Sequence, residues 1–235
     1  MRLNTKTWKG YNILDLILIS LGVVIVTTSS ILFKSKWYVF VSTLLGLFYV
    51  FTQAKGKVVT QFLGVVYFWF YIIVSYTQKY YGEALLYLLV MFPMYVYGII
   101  HWLKNRDKKD NIVIVKSNLS IKEWLISILC FIPIAVGAYF LLKMLNTSML
   151  LISFLSFCSM LPAVYLLIRR CKWNQVAFLL NDLIVILLWL LLAIQKDMSF
   201  LPMFIYHLFQ IAYDIYGLVE WIKLEKKQKI NGLIK

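Results

Sequence analysis

The sequence predicts an all-α integral membrane protein of eight transmembrane helices, with one extra N-terminal helix ahead of a 3+1+3 parallel-repeat core. Three observations carry that prediction. The chain has 235 residues, of which 62% are hydrophobic and only 14% charged, and its mean hydropathy is +0.81; a water-soluble domain of this length could not hide so much apolar side chain. The apolar residues come in blocks near the ~20 that a helix needs to cross a bilayer. Short connectors between the blocks hold most of the Lys and Arg. Strict alternation of apolar and polar residues, which would signal a membrane β-barrel, is absent.

Taken in order, the spans fall at about 13–33, 37–53, 58–78, 84–103, 123–145, 148–168, 174–194 and 200–222. The first follows Arg2, Lys6 and Lys9 as a signal peptide would, yet its apolar stretch exceeds a usual h-region and lacks an Ala-x-Ala exit, so a retained helix is expected. The second is short, and the fourth contains Pro93. With the N-terminus in the cytoplasm, five of the 24 Lys and Arg face out, namely Lys34, Lys36, Lys79, Lys143 and Lys196, and nineteen face in. That asymmetry obeys the positive-inside rule and an even number of spans. The expected location is a bacterial cytoplasmic membrane with both termini inside.

The net charge of +14 does not imply nucleic-acid binding, because the cations are scattered over loops rather than drawn into a stripe with interleaved aromatics. The densest run, Lys104 to Asp110, reads as a solvated loop touching anionic lipid. Cys130, Cys158 and Cys171 are odd in number and lack Cys-x-x-Cys spacing, so buried free thiols are expected. His101 and His207 are far apart in sequence, and neither a metal nor a cofactor is expected.

An internal repeat is visible. Tyr97-Gly98 to Trp102-x-Lys104 ends the fourth span, and Tyr216-Gly217 to Trp221-x-Lys223 ends the eighth; both read Tyr-Gly-x-x-x-Trp-x-Lys. Gln61 and Trp69 in the third span match Asn181 and Trp189 in the seventh at the same separation. The chain therefore divides into 1–36 (tail and extra helix), 37–104 (first three-helix unit), 105–147 (loop and linker helix), 148–223 (second unit) and 224–235 (basic tail). Parallel repeats of this kind occur in transporters whose solute sits between the halves.

Polar groups inside spans are costly and mark a pathway or a partner. Thr60, Gly64, Tyr67 and Tyr71 share one face of the third span, with Gln61 beside it. Asn174, Gln175, Asn181 and Asp182 crowd the start of the seventh, while His207, Gln210 and Asp214 form one face of the eighth. The second span adds Ser42, Gly46, Tyr49 and Gln53 at similar spacing. Interhelical hydrogen bonding explains any one of these positions as well as ligand contact does. Their convergence predicts a cavity for a small, uncharged or weakly charged solute, such as a flat heterocycle with a sugar-like tail. The solute is expected to touch Gln53, Thr60, Gln61, Trp69 and Tyr95 from the first unit. Asn181, Asp182, Trp189, Gln210 and Asp214 are expected to meet it from the second.

The run Gly46-Leu47-Phe48-Tyr49-Val50-Phe51-Thr52-Gln53-Ala54-Lys55-Gly56-Lys57, followed by Gly64, resembles the PnuC family of vitamin and nucleoside transporters. Tyr81-Gly82-Glu83, Pro93-Met94, Gly98 to Trp102, Asn181 and the Tyr216-Gly217 to Trp221 ending are similar to the same family. The resemblance covers most of 37–222. It implies an arrangement like a full-length SWEET protein, homotrimers, and facilitated diffusion of nicotinamide riboside trapped by an intracellular kinase. The chain departs from the family where amides are common, at Tyr49, Thr60 and Tyr95, and keeps Trp173 but has Val176 in a Trp-x-x-Trp position. Thiamine, riboflavin and deoxynucleosides, carried by relatives, are therefore alternative solutes. An enzyme is not expected, since Gly-x-Ser-x-Gly and His-Glu-x-x-His are absent, and no P-loop supports a primary pump. A channel or a membrane-embedded enzyme is the alternative of another class.

Overall fold

The computed structural model describes residue 11 and residues 13–234. Arg2, Lys6, Lys9 and Lys235, counted above on the inner side, lie outside the described residues. Helix α1 spans Ile13–Leu32, α2 Trp37–Ala54 and α3 Val59–Thr77. The fourth apolar block forms α4, Tyr81–Leu86, then a π-helical turn, Tyr87–Met91, and α5, Phe92–Lys104. Pro93 has no N–H to return to the preceding turn, and the ladder widens there, with the Phe92 N–H bonding the Tyr87 carbonyl.

A two-residue hairpin follows, β1 (Arg106–Asp107) antiparallel to β2 (Ile112–Val113). The remaining helices are α6 Ile121–Met144, α7 Leu150–Ile168, α8 Asn174–Gln195 and, after a short 3₁₀ turn at Met198–Phe200, α9 Leu201–Ile230. Helix α6 begins with a capping box, in which Ser120 accepts from the Glu123 N–H and the Glu123 carboxylate accepts from the Ser120 N–H.

Among the described residues seven segments are long and apolar enough to cross a membrane: α1, α2, α3, Ala84–Lys104 taken as one, α6, α7 and α8. The eighth expected span, α9, falls short in apolar content because His207, Gln210 and Asp214 sit on its buried face. It also continues past 222, through the segment expected to be a basic tail, as far as Ile230. Cys171 is buried, but Cys158 is half-buried and Cys130 exposed on α6, contrary to the expectation of three buried thiols. Helix α6 shows most of its surface outward, whereas α2 is largely enclosed.

Helix α2 packs on α3 and α9, α7 on α8 and α5, and α8 on α9, so the elements 37–104 and 150–230 meet along α2·α9 and α5·α7. The turn after α2 and the turn after α7 have the same construction. In the first, Gly56 N–H bonds Gln53 O (3.0 Å) and Lys57 N–H bonds Thr52 O (3.1 Å); in the second, Arg170 N–H bonds Leu167 O and Cys171 N–H bonds Leu166 O, both at 2.9 Å. Gly56 and Arg170 both take φ +61°, a left-handed conformation that is easy for the glycine and costs the arginine about 1 kcal/mol.

Two tryptophans cross between the units. Trp102 Nε1 donates to Leu167 O (2.9 Å) and Trp221 Nε1 to Gln53 O (2.8 Å). Gly98 faces the Gln61 amide just as Gly217 faces that of Gln175, so a methyl group at either glycine would collide with an amide. By environment the counterpart of Gln61 is thus Gln175, not Asn181. The pairing of Trp69 with Trp189 fails too, because Trp69 is half exposed and Trp189 wholly buried.

The segment 105–117 lies across the ends of both units. Val113 N–H bonds Gly56 O (2.9 Å) on one side and Lys116 N–H bonds Arg170 O (3.0 Å) on the other. Gln228 of α9 pins its middle, accepting from Val115 N–H (2.8 Å) and donating to Val113 O (2.9 Å). Lys and Arg concentrate at this end of the bundle, called the basic end below.

Candidate functional site

At the centre, α2, α3, the π-helical turn, α7, α8 and α9 enclose a cavity walled by the rings of Tyr49, Tyr67, Phe68, Tyr71, Tyr87 and Phe178. Its polar side comes from Asn181 and Asp182 of α8 and His207 and Gln210 of α9. The free space left is about 10 Å³, room for one water at most, so a solute enters only if rings swing aside. The aromatic wall is continuous: Tyr49 and Tyr67 stack at 5.8 Å, Tyr67 leans on Tyr206 at 5.8 Å, and Tyr71 meets Tyr87 at 4.8 Å. Tyr206 in turn lies flush against Gly46, where any side chain would displace its ring.

The carboxyl of Asp182 is fully buried, and one oxygen meets His207 Nδ1 at 3.1 Å. Asp214, seven residues after His207 on the same face of α9, presents its carboxyl next to that of Asp182. The two carboxyls are within hydrogen-bond reach of each other, while Gln210 Oε1, Asn181 Oδ1 and His207 Nε2 have no hydrogen-bond partner among the described residues. Asn181 is anchored through its amide nitrogen, which donates to Ser156 O and Ser159 Oγ, both at 2.9 Å. Buried acceptors left open in this way are expensive unless a guest completes them.

Of the ten residues expected to touch solute, Asn181, Asp182 and Gln210 line the cavity, and Asp214 adjoins it through Asp182. Tyr95 stands one shell back, its hydroxyl 2.6 Å from that of Tyr49. Gln53, Thr60 and Gln61 lie nearer the basic end, all buried; Gln53 Nε2 donates to Asn174 Oδ1 at 3.4 Å, while the Thr60 hydroxyl and both ends of the Gln61 amide are unpartnered. Trp189 sits toward the opposite end, edge-on to Tyr71 at 5.7 Å. Trp69 is not part of the site: its ring is on the outer face of α3 against Phe92, because the face carrying Tyr67 and Tyr71 turns inward and leaves position 69 outside. The residues not anticipated, Phe68, Tyr87 and Phe178, carried no polar signal, although the π-helical turn that holds Tyr87 follows from Pro93 nearby.

At the basic end a second buried network was not anticipated. Lys55 Nζ bonds Asp15 Oδ2 (2.9 Å), Tyr216 OH (2.7 Å) and Glu220 Oε2 (2.9 Å), and Tyr216 OH donates to Asp15 Oδ1 (2.5 Å). Burial would lower the Lys55 pKa, but the hydrogen bonds to Asp15, Tyr216 and Glu220 outweigh it and hold the ammonium above its ordinary value.

Comparisons with known proteins place the chain in a family and a fold. A family model described as nicotinamide mononucleotide transporter matches residues 36–223. The nicotinamide riboside transporter PnuC of Neisseria mucosa is 24% identical over 196 residues, covering 82% of this chain and 74% of that protein. In fold, the chain is similar to a crystal structure of the vitamin B3 transporter PnuC, with a TM-score of 0.80 at 22% identity over 94% of this chain and 95% of the other.

Proposed function

Because the chain belongs to the nicotinamide mononucleotide transporter family, and so is a multi-pass membrane transporter rather than an enzyme, we propose that it carries nicotinamide riboside, the solute named for its Neisseria relative. One observation favours this solute: two carboxyl groups, Asp182 and Asp214, meet in a dry site walled by aromatic rings. Neighbouring carboxylates in such a place need a counter-charge or a shared proton. Nicotinamide riboside brings a pyridinium cation that answers the carboxyls and stacks on the rings, and a carboxamide and ribose for Asn181 and Gln210. Riboflavin and deoxynucleosides bring no cation, and a mononucleotide would bring phosphate charges of the wrong sign. Thiamine, also cationic, is the second reading, supported by the same two carboxyls. Nicotinamide riboside, with its single positive charge, is within the expected class of small, weakly charged solutes.

The architecture we infer is α1 followed by a 3+1+3 core of eight spans, with 37–104 and 148–223 as parallel repeats and α6 as the linker. The matching turns at Gly56 and Arg170 and the crossing tryptophans support the duplication. Charge asymmetry supports a cytoplasmic basic end and cytoplasmic termini. Homotrimers, facilitated diffusion and trapping by an intracellular kinase rest on the resemblance alone.

The test is calorimetry or thermal shift on the purified chain with nicotinamide riboside, its uncharged reduced form, thiamine, riboflavin and deoxynucleosides. Nicotinamide riboside should bind at least ~10-fold more tightly than the reduced form, a difference of ~1.4 kcal/mol. Asn181→Ala should weaken it while the protein stays folded. Equal affinity for the charged and uncharged forms, or tighter binding of riboflavin, overturns the reading.

A further inference from the structure

Outside the central cavity, α5 and α7 leave an open groove of about 370 Å³, walled by Pro93, Met94, Tyr97, Tyr165 and Ile168 and ending at Arg169. Its volume is within the ~300–1,000 Å³ of ligand pockets. The neighbouring surface of α5 is apolar and exposed, at Val96, Tyr97 and Ile100, as suits a lipid-facing wall. At the rim the character changes abruptly. Lys104, Lys116, Arg169 and Arg170 all act electrostatically on His101. Burial and the two arginines hold the Lys116 ammonium below its ordinary pKa, which shows how closely the like charges crowd.

Among the described residues, the carboxylate bonded to these cations is Glu123, which takes Lys116 (2.6 Å) and Arg169. Three nitrogens of this rim, Arg169 Nε, Arg170 Nε and His101 Nε2, are buried without any hydrogen-bond partner. An excess of positive charge at the mouth of an apolar slot calls for a ligand with an anionic head and a hydrocarbon body.

We propose that the α5·α7 groove binds an anionic phospholipid, its phosphate on Arg169, Arg170 and His101 and one acyl chain along Pro93, Met94 and Tyr97. Lys104 and Lys116 add long-range attraction. At the α2·α9 side Lys55, the counterpart of Arg169, is already held by Asp15 and Glu220.

The experiment is native mass spectrometry of the full chain in detergent, supplied with phosphatidylglycerol or phosphatidylcholine of the same acyl chains, with unfolding temperatures measured in parallel. Phosphatidylglycerol should stay bound at one per chain and raise the unfolding temperature, and phosphatidylcholine should do neither. The double variant His101→Gln/Lys104→Gln, remote from the solute cavity, should weaken retention roughly fivefold, for the one cation lost at Lys104. Met94→Trp, which fills the groove, should weaken it independently while the unfolding temperature in lipid-free detergent stays unchanged. Equal retention of the two lipids, or retention indifferent to both variants, overturns the proposal. So does an equal stabilisation by inorganic phosphate alone, or a disulfide formed between two copies carrying Tyr97→Cys, which would make the groove a protein contact.

Discussion

At the basic end the two units meet at two corners that are built alike and charged differently. After α2, Lys55 meets Asp15, the third residue of α1, and reaches across to Tyr216 and Glu220 of α9. After α7, Arg169 meets Glu123, the third residue of α6, but the positions on α5 that match Tyr216 and Glu220 in the Tyr-Gly-x-x-x-Trp-x-Lys motif are Tyr97 and His101. Helix α1 therefore serves α2 as α6 serves α7, and a single exchange, the Glu220 carboxylate against the His101 imidazole, decides whether a corner is bolted across the units. The bolted corner is also the buried one, with Lys55 and Asp15 side chains 8% and 0% exposed, against 27% and 20% for Arg169 and Glu123. Low dielectric makes the first pair costly to break, while solvent weakens the second.

The largest effect should come from Lys55→Met, which removes the buried cation between Asp15 and Glu220 and should cost about 3–5 kcal/mol. In detergent that is a drop of roughly 10 °C in unfolding temperature. Adding Asp15→Asn should recover part of it, and a loss no greater than that of Arg169→Met would erase the contrast between the corners.

Next comes acid. Burial alone would raise the Glu225 pKa, but hydrogen bonds from Lys172, Ser117 and Lys229 pull it from 4.5 down to about 2. A depressed carboxylate stabilises the fold fully above its unfolded value, and that contribution is lost as pH falls from 4.5 toward 2. Unfolding temperatures of the parent and Glu225→Gln, measured across that window, should converge at the acid end.

A smaller change sharpens the comparison functionally. His101→Glu would place a carboxylate facing Arg169 and bolt the second corner. Net uptake into proteoliposomes should slow about tenfold, equivalent to ~1.4 kcal/mol of added hold on the opening step, with solute affinity unchanged. Uptake at the parental rate would show that this corner does not open during transport. Smallest is Glu123→Ala, which removes a half-exposed ion pair and a capping interaction for about 1 kcal/mol; it is read as a shift of a few degrees in unfolding temperature.

Much of the fold was legible because hydrocarbon thickness and loop charge write themselves into a linear sequence. The bounds of α2, α3, α7 and α8 differ from the expected spans by a residue or two, and the motif ending at Trp102 and Trp221 marked the two places where a tryptophan crosses between units. The site was legible in part. Asn181, Asp182 and Gln210 stood out as polar groups in apolar segments, and they line the cavity. Trp69 was misplaced because its spacing from Gln61 matched that of Trp189 from Asn181, and such a match does not say which way a helix faces. Asp15 gave no signal at all, since its partner Lys55 is forty residues away in sequence.

By itself, the sequence determined the medium, the uneven distribution of charge between the connectors, and where the apolar helices lie. Those properties depend on local composition summed over a turn or a span. Only the tertiary structure decided that the Asp182 and Asp214 carboxyls lie side by side, that α1 is tied to both units through Lys55, and that the α5·α7 corner keeps an excess of positive charge. Each of those depends on the rotation of one helix about its axis against another, and close packing of side chains over the whole bundle sets that angle.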